Sequence, residues 1–179
     1  MLRRDHATLA LIDIQGKLAA RMHDKEALYR NLQILVRGAR ALELPILWLE
    51  QYPKGLGPTI PEVAELLRDQ QPMAKTCFSA CGLDAFQVAL RASGRRQILL
   101  AGIESHICVW QTARDLLSSG HHVEIVSDAV SSRTAANKTL GLERMRQVGA
   151  EITSVEMCLF ELLKQAGSAE FKQIAALVK

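Results

Sequence analysis

Five places in the chain combine a reactive residue with the end of an apolar run. Asp13 follows Leu9-Ala10-Leu11-Ile12, Glu50 follows Ile46-Leu47-Trp48-Leu49, and Lys75 closes a weaker segment that begins at Met73. Glu104 to Cys108 follow Ile98-Leu99-Leu100-Ala101, and Asp128 follows His122 to Ser127. A carboxylate can move a proton, a lysine can hold a charge, and a cysteine can attack a carbonyl carbon. Cys108 sits just past a break at Gly102, where the next helical pattern begins. A structural cysteine suits the middle of an apolar run better. At a helix start, the free amide groups and the dipole favour a thiolate, and the same amides can hold an oxyanion. Taken singly, each residue has a plainer reading. Cysteines most often fill small buried spaces, aspartates cap helices, and lysines stay on the surface. Their common position at strand ends is what singles out Asp13, Lys75 and Cys108.

The elements that must position them alternate. Strands are predicted at Leu9–Ile12, Pro45–Leu49, Met73–Thr76, Arg96–Ile103, His122–Ser127 and Glu151–Ser154. Helical spacing runs through residues 24–43, 84–92, 106–118 and 134–148, with a short helix from Pro61 to Leu67 and helical segments at the C-terminus. Gly120 and Gly149 mark two helix ends. Gln51 to Pro58 reads as a turn-rich loop. The strands are apolar runs rather than period-two patterns, which predicts a parallel sheet covered by helices on both faces. Ligands of such sheets bind outside the carboxyl ends of the strands, where strand order reverses. That edge carries the candidate residues, and the strand ending at Asp128 adds a possible cap for the helix that follows.

The 179 residues suit one domain, residues 1–179, with a sizeable core. Hydrophobic residues make up 49% and the net charge of +3 is scattered, so no nucleic-acid face is predicted. No apolar run reaches the length of a membrane span, and Met1-Leu2-Arg3-Arg4 leads into Asp5-His6 rather than a secretory h-region. Cys77, Cys81, Cys108 and Cys158 are therefore expected as free thiols of a cytoplasmic protein. Cys77 and Cys81 lack Cys-x-x-Cys spacing, and the strand ends offer no zinc ligand cluster, so no metal or other cofactor is expected. His121 and His122 open a strand, where their rings would point to opposite faces. Ser105-His106 lacks a nucleophile elbow, and Gly55-Leu56-Gly57 lacks the third glycine of a dinucleotide fingerprint.

The segments LALIDIQ, KTCFSA, LLAGIESHICV, VSDAVSSR and LERMRQVGAEITSVEM resemble the isochorismatase-like cysteine hydrolases in order and spacing. EQYPKGLGPTIPE and KTCFS resemble the branch of isochorismatase domain-containing proteins. The resemblance implies a three-layer αβα sandwich, a Rossmann-like fold with a six-stranded parallel sheet of order 3-2-1-4-5-6. It maps the family's triad onto Asp13, Lys75 and Cys108, with Cys108 as nucleophile, Asp13 as proton carrier and Lys75 as support. It implies an oxyanion hole from the backbone amides of Glu104 and Cys108, behind a cis peptide between Ile103 and Glu104. Gln15, Tyr52, Phe78, Ser105 and Ile107 are expected to contact a small-molecule substrate. Family members commonly assemble, so a homo-oligomer is expected. Nicotinamidases of the family carry an Asp-x-His metal site after the second strand, where this chain reads Leu49-Glu50-Gln51-Tyr52. The resemblance thus points to metal-independent hydrolysis of an amide-like C–N bond through a thioester. The alternatives are vinyl ether hydrolysis of the isochorismatase type and a scaffold that keeps the fold without turnover.

Overall fold

The computed structural model describes residues 1–179. Its centre is a six-stranded, all-parallel sheet of order β3-β2-β1-β4-β5-β6. The strands are β1 (Ala7–Ile12), β2 (Ile46–Gln51), β3 (Met73–Lys75), β4 (Gln97–Ile103), β5 (His122–Ser131) and β6 (Glu151–Thr153). Every residue of β1 is buried, because both faces of the sheet are covered. Leu9 and Leu11 face a layer made by α1 (Lys25–Ala41), α5 (Val155–Leu163) and α6 (Ala169–Leu177). Ala10 and Ile12 face the layer of α2 (Asp84–Ser93), α3 (Trp110–Ser118) and α4 (Ala135–Gln147). In α1, Leu28, Leu32, Leu35, Val36 and Ala39 recur at helical spacing, and all are buried. Ile174 of α6 is buried and Phe171 meets Phe160 of α5 edge-on, so the apolar C-terminal helix packs internally.

Three details differ from the sequence reading. The loop at Gln51–Pro58 contains a short helical turn, Pro53–Leu56. The helix expected from His106 begins as a π-helical turn, Ser105–Val109, and becomes α-helical only at Trp110. β5 does not end at Asp128. Its register against β4 shifts between Leu100 and Gly102, so that Leu100 pairs with Ile125 but Gly102 pairs with Val130. The extra residues bulge and the strand resumes to Ser131. Asp128 is carried away from the reactive edge. Its Oδ1 accepts from the Val155 N–H at 2.9 Å, which caps α5 rather than the helix after β5.

β1 and β4 lie side by side, with Ile12 opposite Gly102. Gly102 has φ +116°, and a Cβ there would overlap the Ile12 carbonyl, so only glycine lets the two strand ends close up. Asp13 and the Cys108 turn emerge from this contact. Gly102→Ala should therefore cost roughly 3 kcal/mol and lower Tm by about 6–12 °C for a chain of this size. Differential scanning calorimetry checks this; an unchanged Tm would show that the strand ends part at no cost.

Candidate active site

The carboxyl ends of β1, β3 and β4 bring together three side chains far apart in sequence. Asp13 follows β1 with a left-handed backbone (φ 54°), which turns the chain so that its carboxyl points along the sheet edge. Lys75 ends β3, and its Nζ donates to Asp13 Oδ2 at 2.7 Å, with both side chains buried. Nζ also donates to Gln51 Oε1 at 2.6 Å, the Phe78 carbonyl at 3.0 Å and the Cys77 carbonyl at 3.2 Å. Cys108 lies in the π-helical turn after β4 and is 7% exposed. α4 presses on that turn through Gly141, where a Cβ would lie 2.7–2.8 Å from the Ser105–His106 backbone. The Ile103–Glu104 peptide is cis.

Electrostatics at this edge depart from the sequence reading, in which the helix start favours a Cys108 thiolate. Burial is the largest influence on the thiol and the Asp13 charge the next, and together they outweigh Lys75 and push it up to about 12. Burial also raises the Asp13 carboxyl above its ordinary value, although Lys75 opposes this. Asp13 Oδ1 is buried with no hydrogen-bond partner, while Oδ2 is held by Lys75. The resting site thus pairs a thiol with a carboxyl of raised proton affinity, a group able to take the thiol proton during attack. Glu104 is nearly buried, but its Oε1 accepts from the Arg133 backbone N–H at 3.1 Å and from Arg133 Nε at 3.0 Å. That pairing keeps the second acid engaged.

The residues expected to meet substrate divide into two groups. Tyr52 and Phe78 are exposed, 54% and 55%, and Ile107 is half-buried, so these three can face a ligand. Tyr52 lines an open cleft of about 440 Å³ together with Lys54, Lys75, Cys77 and Leu83. Gln15 is instead fully buried. Its Oε1 accepts from the Gln51 N–H at 2.7 Å, and its Nε2 donates to the carbonyls of Gln51 at 2.8 Å and Gly57 at 2.7 Å. Its amide is engaged by the backbone of the loop after β2, which Gln15 fastens. Ser105 is fully buried and its Oγ has no partner. His106 Nδ1 meets Ser132 Oγ at 2.9 Å, beside the site but outside the Asp13–Lys75–Cys108 group. Gln51 was not among the candidates. A glutamine announces no chemistry by type, and only the β2–β3 register, Gln51 opposite Lys75, would have revealed it.

One cluster of possible metal ligands does form, at the other end of the sheet. The β5–β6 register sets Glu124 beside Glu151, and His122 shares their face two residues upstream. His122 Nε2 lies 3.1 Å from Glu124 Oε1 and 3.8 Å from Glu151 Oε2. No sequence spacing announced this group, because the third residue arrives by strand pairing.

An αβα sandwich with this strand order and this edge is the architecture of isochorismatase-like hydrolases. The isochorismatase domain model matches residues 7–157, and the chain belongs to that family. It is 39% identical to the human isochorismatase domain-containing protein 2 over 97% of this chain and 83% of that protein. It is 37% identical to the secreted isochorismatase effector Isc1 of Phytophthora sojae, over 97% of this chain and 84% of the effector. Among solved structures, the MAR1 ribonuclease of Caenorhabditis elegans superposes with a TM-score of 0.93 at 34% identity, over 99% of this chain and 91% of that one.

The electrostatics make a prediction opposite in sign to a simple loss of function. Asp13 raises the Cys108 thiol, so Asp13→Asn should lower the thiol's proton affinity. Alkylation of Cys108 by iodoacetamide at about pH 8 should then accelerate about tenfold, the equivalent of one pKa unit. Peptide mass mapping with time checks it; a slower rate in a folded variant would contradict the assigned influence of Asp13.

Proposed function

We propose that the protein is a cysteine hydrolase that cleaves a small amide-like C–N bond without a metal. The observation that carries this is the buried Lys75–Asp13 pair beside Cys108, with one Asp13 carboxylate oxygen left without a conventional partner. In the first half-reaction the Cys108 S–H proton passes to Asp13 while sulfur bonds to the carbonyl carbon. The carbonyl π electrons move to oxygen, which the amides of Glu104 and Cys108 receive. The Glu104 N–H makes no hydrogen bond within the protein, which suits that role. Collapse re-forms the C=O bond and breaks C–N, and the proton on Asp13 leaves with the amine. Water then attacks the thioester, giving its proton to Asp13, and the thiol recovers a proton as the acid departs. Lys75 balances the charge on Asp13 throughout and donates to no reacting atom.

Metal independence is supported by the donor set. Asp13 Oδ2 is already held by an ammonium, and the run Leu49-Glu50-Gln51-Tyr52 after the second strand contains no Asp-x-His pair. Tyr52, Phe78 and Ile107 select the substrate. No helix is long and apolar enough to cross a membrane. We place the protein in a reducing compartment such as the cytoplasm, because Cys108 acts only as a free thiol, and we expect a homo-oligomer.

The test is turnover on a panel of small amides and on isochorismate, with Cys108→Ala and with a chelator. Hydrolysis of an amide should fall at least about 10³-fold in Cys108→Ala and survive the chelator. Cleavage of isochorismate that survives Cys108→Ala would instead assign vinyl ether hydrolysis, and no turnover on either class would leave the scaffold reading. Asp13 must be ionised to accept the thiol proton, so kcat/KM should fall on the acid side. Because burial raises Asp13, that limb should lie above the ordinary carboxyl value of 3.8. A rate still level at about pH 4 would remove Asp13 as the base.

A further inference from the structure

Lys75 and Asp13 belong to strands that do not touch. β3 and β1 are separated by β2, and two strand spacings amount to about 9.6 Å. The Lys75 side chain must cross the end of β2 to reach Asp13, and the residue it crosses is Gln51, its register partner. Gln51 Oε1 accepts from Nζ at 2.6 Å, as close as the Asp13 contact at 2.7 Å. The glutamine is itself fixed. Its Nε2 donates to the Thr76 carbonyl at 2.8 Å, which sets the amide so that oxygen faces Nζ. Gln15 clasps its backbone from both sides, accepting from the N–H at 2.7 Å and donating to the carbonyl at 2.8 Å. Nζ therefore has four acceptors around three N–H groups.

We propose that Gln51 is a positioning residue that acts on Cys108 through Lys75. This rests on Cys108 being the nucleophile and Asp13 its base. The amide suits the task because it is a neutral acceptor. It holds the ammonium in line with Asp13 without a second negative charge that would draw the ammonium off. Methionine at this position fills similar space but accepts no strong hydrogen bond, so Lys75 can turn toward the Cys77 and Phe78 carbonyls. Glutamate keeps an acceptor in place but competes with Asp13 for the positive charge. Either change weakens the favourable influence of Lys75 on a developing Cys108 thiolate. The other charges acting on that thiol, Asp13 and Glu104, remain, as does the Arg133 pairing of Glu104 and the Glu50 charge facing Asp13.

The experiment measures iodoacetamide alkylation of Cys108 in Gln51→Met and Gln51→Glu from about pH 7 to 10 by peptide mass mapping. Both variants should alkylate Cys108 about tenfold more slowly than the parent at a given pH, with the rate profile moved up by about one pH unit. Cys81, outside the group, should keep its rate and report an intact fold. Profiles that superpose on the parent's would overturn the proposal. Should Gln51→Met not fold, Gln51→Glu decides alone by the same criterion. No substrate is needed, so failure here is distinct from failure of the hydrolase reading, which would appear as full turnover in Cys108→Ala.

Discussion

The ion pair between Lys75 and Asp13 is the constraint around which the edge of the sheet is arranged. Both side chains are essentially removed from water, and burying each ion costs several kcal/mol that mutual attraction only partly offsets. The site meets the remainder with hydrogen bonds: two carbonyls of the loop after β3 and the Gln51 amide complete the lysine's shell. A sheet of order 3-2-1 requires this support, because the lysine arrives from two strands away. β3 is only three residues long, and its register with β2 places Lys75 at the strand end, where the side chain can fold over rather than into the sheet. As a stabilising device such a pair is weak. Its value is that it fixes one positive charge beside a carboxylate and a thiol whose proton affinities burial raises.

The same burial creates a tension that suits the proposed catalysis. It raises Asp13 and Cys108 together, so neither group is reactive alone. A strongly acidic carboxyl would be a poor base, and an already ionised thiol would leave Asp13 nothing to do. With both raised, the proton moves in the proposed reaction only when a carbonyl takes up the charge developing on sulfur. This differs from a site that stores a thiolate under a helix dipole. The π-helical turn at Ser105–Val109 delivers Cys108 to the edge, but burial and the Asp13 charge decide its protonation.

Much of this was legible in the chain. The apolar runs of β1 and β4 identified buried parallel strands, and their ends singled out Asp13 and Cys108 as candidates. The strand order came from the resemblance, since periodicity carries no information about which strands are neighbours. β5 was read short because Asp128 has the look of a strand end. The bulge that lets the strand resume depends on β4, which sequence spacing cannot show. Gln15 follows the first strand closely enough to be read as a ligand, yet its amide is spent on the backbone of the loop after β2. Gln51 escaped for the converse reason. Its role exists only through contacts with residues on other strands.

Chemistry and selection are divided between two kinds of structure here. The proposed reacting groups are set by strand ends whose positions follow from backbone pairing, including the close approach of Ile12 and Gly102. Tyr52 and Phe78 sit on loops, more than half exposed, whereas Cys108 is nearly enclosed. Loop side chains can change without disturbing the sheet, whereas a change at Gln51 reaches the ion pair directly and one at Gly102 reaches it through the Ile12 backbone. Tyr52 links the two: its left-handed backbone (φ 39°) is reached one residue after Gln51, and its N–H donates to the Lys75 carbonyl at 2.8 Å. The strand end that orders the lysine thus also fixes where the exposed ring stands. In the proposed hydrolase, a substrate held against that ring would therefore be placed relative to Lys75, and through Asp13 relative to the thiol, by a single stretch of backbone.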